Sequence, residues 1–339
     1  MTSFFHLLLS TSEYLYLMHT PLLIKIRIAL VLAASVALFA FLGHSWAHAW
    51  DSKEALTILL QHQPTRLIWI SLGLVILSTL IALPLAGKWF RQIAPIAAPA
   101  GLSTFAVLST GIGTLILKQY EFASRSQMYY RLARETIFWF ALVAIGFVLT
   151  RLTAGIIPIF TSKPAYTDSE AQKEKASVSG FLSKIRNQKT INEVIALIST
   201  SLLAIVILSL LNRSGDVYTF IDGRQVDAAG IPDRGQTLFA VVTAFLLASM
   251  ASQQFLNTSL WSFLPAPFIV ALFAYLTAAH NASAGPLNES TTLFILASDR
   301  LATVLPVQYA GLGSLAVISG YWLSLRTRRN RLFMAETTH

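Results

Sequence analysis

The 339-residue chain contains no cysteine, which removes disulfides, thiolate chemistry and Cys-ligated zinc, but does not fix a compartment. It is also poor in charge: 12% of residues are Asp, Glu, Lys or Arg, about half the share of a typical soluble domain, and 55% are hydrophobic. Charge is missing altogether from residues 28–50, 67–87, 92–117, 194–212, 235–288 and 301–325. A water-soluble enzyme is not expected on this ground, because helical runs of that length match the hydrocarbon thickness of a bilayer. Catalytic signatures are missing too. There is no H-E-x-x-H, no G-x-x-x-x-G-K-[ST], and no recognisable Ser, His and Asp nucleophile pattern.

What is present reads as an all-α integral membrane protein. A core roughly 30 Å thick needs about 20 helical residues, which predicts spans near 28–48, 67–87, 97–117, 136–157, 191–211, 237–256, 261–280 and 302–324. The uncharged run 235–288 must be a hairpin, since a single helix of that length would extend about 80 Å. Its turn is expected between Gln253 and Ser259. Eight spans bring both termini to one side, and the basic residues decide which. With the N-terminus cytoplasmic, the inner segments hold Lys25, Arg27, Lys88, Arg91, seven residues from Arg151 to Lys189, and four in the tail. They hold far fewer acids, so the +9 net charge lies inside, as the positive-inside rule requires. A pI near 9.9 is therefore read as topology and not as nucleic-acid binding. A bacterial inner membrane is the expected location.

The chain divides into an interfacial segment 1–21, a first four-helix half 22–160, a charged cytoplasmic linker 161–190, a second four-helix half 191–325 and a basic tail 326–339. Ala47-His48-Ala49 after an apolar run resembles a signal-peptidase site, but the long upstream extension favours an uncleaved first span. The Arg- and Tyr-rich stretch 118–135 is expected to be an interfacial helix on the outer side. GFLSKIRNQ at 180–188 suits a short helix on anionic headgroups, with a solvated tether as the competing reading. Between spans five and six, Val217 to Val226 surrounds Asp222-Gly223, whose positive-φ preference predicts a small outer β-hairpin.

Candidate functional residues fall into three groups. Pro265, Pro267 and Pro306 stand near helix starts, where proline either kinks a helix or is accommodated in the first turn. Gln308 and Tyr309 follow Pro306, and Gln253 and Gln254 end the sixth span, so these polar groups are candidates for a substrate pathway. Arg151, in the fourth span, either joins that pathway or snorkels to the cytoplasmic headgroups. His44 and His48 share a helical face and could bind copper or zinc with His280, although the interfacial preference they share with Trp46 and Trp50 accounts for them without a metal, and no H-E-x-x-H accompanies them. Gly311, Gly313 and Gly320 read as helix-packing positions. No acid is placed deep in any span, which argues against a carboxylate proton relay. No cofactor is expected.

Two functions compete. One is a transporter or export permease for a small or amphipathic solute, with its site between the two halves. The other is a non-catalytic subunit of a larger membrane complex, with other membrane subunits or further copies of itself as partners beside the lipid bilayer. Asn212, Asn257, Asn281 and Asn288 each open an N-x-[ST] triplet, of consequence only in a glycosylating pathway.

Overall fold

Backbone amides in lipid must find partners within the chain, and the computed structural model meets this with helices. It describes residues 22–43, 57–58, 64–108, 125–156, 179–212, 216–221, 224–229, 232–256, 258–284 and 297–337. The helices are α1 (Leu22–Leu38, running on through a π turn Phe39–Gly43), α2 (Pro64–Ala86), α3 (Ala97–Leu108), α4 (Arg125–Ile156), α5 (Ser179–Leu211), α6 (Arg234–Leu256), α7 (Ala266–Ala284) and α8 (Ser314–Thr337). Among the described residues six are long and apolar enough to cross a membrane: α1 with its π turn, α2, α4, α5, α6 and α7. Their outer faces suit lipid. On α5, Ile191, Val194, Ile195, Ile198, Leu202, Val206 and Leu210 are exposed at helical spacing, while Ala196, Thr200, Ala204 and Leu208 on the opposite face are buried.

Several expectations need correction. The third span was placed at 97–117; the structure describes α3 from Ala97 to Leu108, and the rest of that span lies outside the described residues. The described part is central to the bundle, since every residue from Ala97 to Ala106 is buried. Its Ala, Gly and Ser content lets α1, α2, α4 and the start of α8 approach on all sides.

The eighth span, placed at 302–324, is not one regular helix. A 3₁₀ turn (Ala297–Thr303) ends, Leu305 is extended, helix restarts at Pro306–Gln308, a π turn follows at Tyr309–Gly313, and α8 continues from Ser314. Proline forces the break, because it lacks an N–H and drives the preceding residue out of the helical region. The segment 118–135 is not a separate interfacial helix either, as residues 125–135 are the first turns of α4. In the same way, 180–188 belongs to α5. At 33 residues, about 50 Å, α5 exceeds a membrane thickness, so this end continues the span axis.

Other expectations hold. α6 ends at Leu256 and a 3₁₀ turn (Leu260–Ser262) leads to α7, which matches the hairpin turn. Strands β1 (Asp216–Ile221) and β2 (Arg224–Ala229) pair antiparallel with Ile221 opposite Arg224, leaving two residues for the connection.

Two glycines fix how closely the helices meet. A Cβ on Gly311 would lie 2.6 Å from the carbonyl carbon of Leu102 and the amide nitrogen of Ser103, so the π turn rests directly on the α3 backbone. A Cβ on Gly320 would strike Ser249 Oγ and the Leu246 carbonyl of α6. Packing between the two halves runs through that α3 contact and through α4, which lies along α7. At one end of the bundle Asn212 ties α5 and α6 to the 3₁₀ turn. Its Nδ2 donates to the Arg300 carbonyl at 2.8 Å and to Thr303 Oγ1 at 2.7 Å, and Thr237 donates to its Oδ1 at 3.2 Å. Fully buried, Asn212 has no room for a glycan.

Gly311→Ala and Gly320→Ala are expected to destabilise the bundle by roughly 1–3 kcal/mol through overpacking. Gly73→Ala, with nothing within 4 Å of its Cβ position, is the control and should be neutral or slightly stabilising. Thermal unfolding of the three variants in one mild detergent makes the comparison.

Candidate functional site

α4 has two distinct sides. Met128, Leu132, Glu135, Trp139, Leu142 and Gly146 recur at three- and four-residue intervals and are buried, whereas Arg131, Arg134, Ile137, Ala141 and Val148 are exposed. Glu135 is therefore carried on the packed side, 4% exposed, and lies within the spanning helix. The sequence places no acid deep in a span; Glu135 is buried in the N-terminal part of α4. Among the described residues it is the only acidic side chain that is buried. One turn on, Trp139 donates its indole N–H to Glu135 Oε1 at 2.7 Å. Arg131 and Arg134, exposed on the other side at the same level, are placed for headgroups.

Opposite it lies the break before α8. With Pro306 unable to donate, carbonyls at the end of the 3₁₀ turn need other partners. Tyr275 of α7 donates its hydroxyl to the Val304 carbonyl, and Tyr309 donates to the Leu301 carbonyl at 2.9 Å. The two rings meet edge to face, 6.3 Å apart. Gln308 closes the other side of the gap, its Oε1 accepting the Leu305 N–H at 2.8 Å. Its Nε2 is buried without a hydrogen-bond partner, as is Ser314 Oγ farther along. Glu135, Tyr129 and Tyr309 all lie close enough to the Tyr275 hydroxyl to act on it electrostatically. The result is one buried cluster of a carboxyl, an indole N–H, three phenols and a carboxamide, where α4, α7 and the broken α8 meet.

Of the residues singled out by sequence, Gln308 and Tyr309 belong to this cluster, with Pro306 beginning the helix that carries them. Pro306 does not kink a helix, and neither do Pro265, in the turn before α7, and Pro267, in its first turn. Gln253 and Gln254 lie elsewhere. Phe245 packs against Tyr309 with ring centroids 6.2 Å apart, and Gln253 is eight residues farther along α6, about 12 Å away at 1.5 Å per residue. Gln253 is buried and its Oε1 accepts the Thr258 N–H at 3.1 Å, which shapes the α6–α7 connection; Gln254 is half-buried. Arg151 is exposed and stacks over the Trp261 ring, 3.9 Å from its centroid. A cation–π contact at a helix end accounts for it without a pore. Glu193 accepts from Ser259 nearby, at 3.4 Å.

His44 and His48 fall outside the described residues, and His280 is exposed near the end of α7. Among the described residues no group of three or more His, Cys, Asp or Glu side chains is placed to hold a metal ion. Comparison with family models, with curated proteins and with solved structures gives no match.

Gln308→Leu leaves the Leu305 N–H buried and unpaired and is expected to cost about 1–3 kcal/mol, whereas Tyr309→Phe loses one neutral bond and costs about 1 kcal/mol. Gln254→Leu should change little. Denaturant midpoints of the purified variants in a common detergent rank the three.

Proposed function

We propose that the protein is a multi-pass membrane transporter for a small or amphipathic solute. In this reading it crosses a bacterial inner membrane eight times with both termini cytoplasmic, and its working centre is the cluster of Glu135, Tyr275, Gln308 and Tyr309. The observation that carries it is a carboxyl group buried in a membrane-crossing bundle beside irregular backbone. Ionisable side chains inside spans are costly and are kept where ions or solutes pass. Broken helices and π turns at membrane depth likewise belong to sites and cavities. The mixture of phenol rings, amide and acid suits a solute with both apolar and polar parts. Polar groups that only joined helices would be expected to satisfy one another fully, and Gln308 Nε2 and Ser314 Oγ do not.

The four-plus-four division supports this centre in a particular way. α4 from the first half and α7 and α8 from the second enclose it, so a shift of one half against the other would open or close it.

The natural absence of cysteine makes the test direct. Single cysteines at Gln308, Tyr309 and Ser314 should react with a small hydrophilic thiol reagent in intact vesicles, while one at lipid-facing Leu202 should not. A water-filled route to Gln308 that is reached from one side supports transport. If none of the three reacts, and the protein leaves the membrane in fixed stoichiometry with other polypeptides, it is a structural subunit and the transport reading fails.

A further inference from the structure

We infer that Arg300 holds the acidic group of the solute, so that the substrate is a small amphipathic anion carrying a carboxylate or another oxyanion. The inference deepens the transport reading above and rests on it. Arg300 lies in the 3₁₀ turn Ala297–Thr303 and is half-buried. Its Nε is buried and has no hydrogen-bond partner among the described residues. Gln308 Nε2, on the other side of the break, is in the same position. A buried donor left unpaired is costly, the more so on a charged group, and in a native protein it calls for an explanation.

Both groups can only donate. A guanidinium has no acceptor, and Gln308 is fixed in one orientation because its Oε1 accepts the Leu305 N–H, which leaves N–H groups alone at Nε2. Carbonyls at the break would be the ordinary partners, and each has two lone pairs to offer. That of Arg300 already accepts from Asn212 Nδ2 and Thr303 Oγ1, that of Leu301 from Tyr309 and the Val304 N–H, and that of Leu305 from the N–H groups of Gln308 and Tyr309. The Val304 carbonyl receives the Tyr275 hydroxyl. The segment thus presents donors while these acceptors are taken, so its occupant has to bring oxygens. Arginine adds charge and shape, since its planar fork of N–H groups matches the two oxygens of a carboxylate or phosphate. The rings of Tyr275 and Tyr309, whose hydroxyls reach this same segment, suit the apolar remainder of such a solute.

Other charges at this end of the bundle are of both signs. Asp233 is exposed and its Oδ2 accepts the Gly235 N–H at 2.9 Å, so it caps the start of α6, and Arg234 beside it is half-buried. His280 is exposed near the end of α7. Glu135 is the acid that α4 carries, its Oε1 accepting from Trp139. Asp299 adjoins Arg300 in the chain. An acid that neutralised Arg300 would remove the need for an anionic solute, and a site governed by Glu135 would select a cation. These alternatives give different results with ligands of one shape and three charges.

The experiment is isothermal titration calorimetry of the full-length protein in phosphatidylcholine nanodiscs with benzoate, benzamide and benzylammonium, empty nanodiscs giving the partition background. It is run at about pH 7, where a carboxyl is ionised and an amine protonated, in about 0.15 M salt to screen surface charge. Benzoate is expected to bind saturably, benzamide about tenfold or more weakly, and benzylammonium not at all. Arg300→Gln should lower benzoate affinity about tenfold or more, and Arg300→Lys, which keeps the charge without the fork, should fall between. Because Asn212 and Thr303 bond to the Arg300 carbonyl and not to its side chain, both variants keep the fastening at this end. No saturable benzoate binding to the wild-type protein, binding that appears only in Asp299→Asn, a preference for benzylammonium, or unchanged affinity in Arg300→Gln overturns the proposal. So does loss of benzoate binding when phosphatidylglycerol is included in the nanodiscs, since the oxyanion at Arg300 would then be a lipid headgroup. Thiol labelling reports separately on the water route. Labelling at Gln308 without Arg300-dependent benzoate binding defeats this proposal and leaves transport standing, whereas such binding without labelling defeats transport and leaves the anion site.

Discussion

The interruption of the helix at Val304 and Leu305 is the constraint on which the surrounding structure depends. Pro306 makes it unavoidable, and inside a bilayer no water is at hand to satisfy the backbone groups it frees. Three side chains do so instead: Tyr275 and Tyr309 donate to the carbonyls of Val304 and Leu301, and Gln308 accepts the Leu305 amide. Those duties fix the register of α7 against α8. They also require the π turn after Gln308 to lie close to α3, which Gly311 permits by having no side chain. The small residues of α3, buried from Ala97 to Ala106, serve the same requirement, since a bulkier helix could not reach the turn.

Small residues mark the closest helix contacts around that centre. Ala, Gly and Ser occupy the contacts among α3, α6 and α8, where backbones nearly touch, and Leu, Ile, Val and Phe occupy the lipid side. In a bilayer apolar burial gives helices little reason to associate, so close packing and hydrogen bonds hold the bundle together. Asn212, Thr237 and Thr303 supply such bonds at one end, and Arg151 on Trp261 with Glu193 near Ser259 pins the α6–α7 connection at the other. The polar centre lies between these two fastenings. A centre placed there is able to change while both ends of the bundle stay joined.

Much of the fold was legible from residues alone. The spans α1, α2, α5, α6 and α7 follow from charge-free runs of the right length, the α6–α7 turn from the excess length of one run, and the hairpin from Asp222-Gly223. Gln308 and Tyr309 were found as polar residues after a proline. Glu135 was missed because charge had been used to mark where spans end, so an acid one residue before an apolar run was read as lying outside it. A usable signal was present: Met128, Leu132, Glu135, Trp139 and Leu142 share one helical face, which puts the acid on the packed side with a tryptophan one turn away. Arg151, read as snorkelling or as a pathway residue, is exposed and stacks on Trp261, a contact between distant segments that no spacing along the chain announces.

By itself, then, the sequence determined that this chain belongs in a membrane and where most of its apolar helices begin and end. These are properties of local composition, set by transfer between water and hydrocarbon, and need no knowledge of which helix neighbours which. Tertiary structure alone decided that α3 is an internal helix, that the last span is broken and restarted, and that Glu135, Tyr275, Gln308 and Tyr309 converge. Their meeting depends on α4 lying along α7 and on Gly311 reaching α3. Such contacts between distant segments arise from shape and hydrogen-bond satisfaction among whole helices, and hydropathy along a single chain carries no record of them.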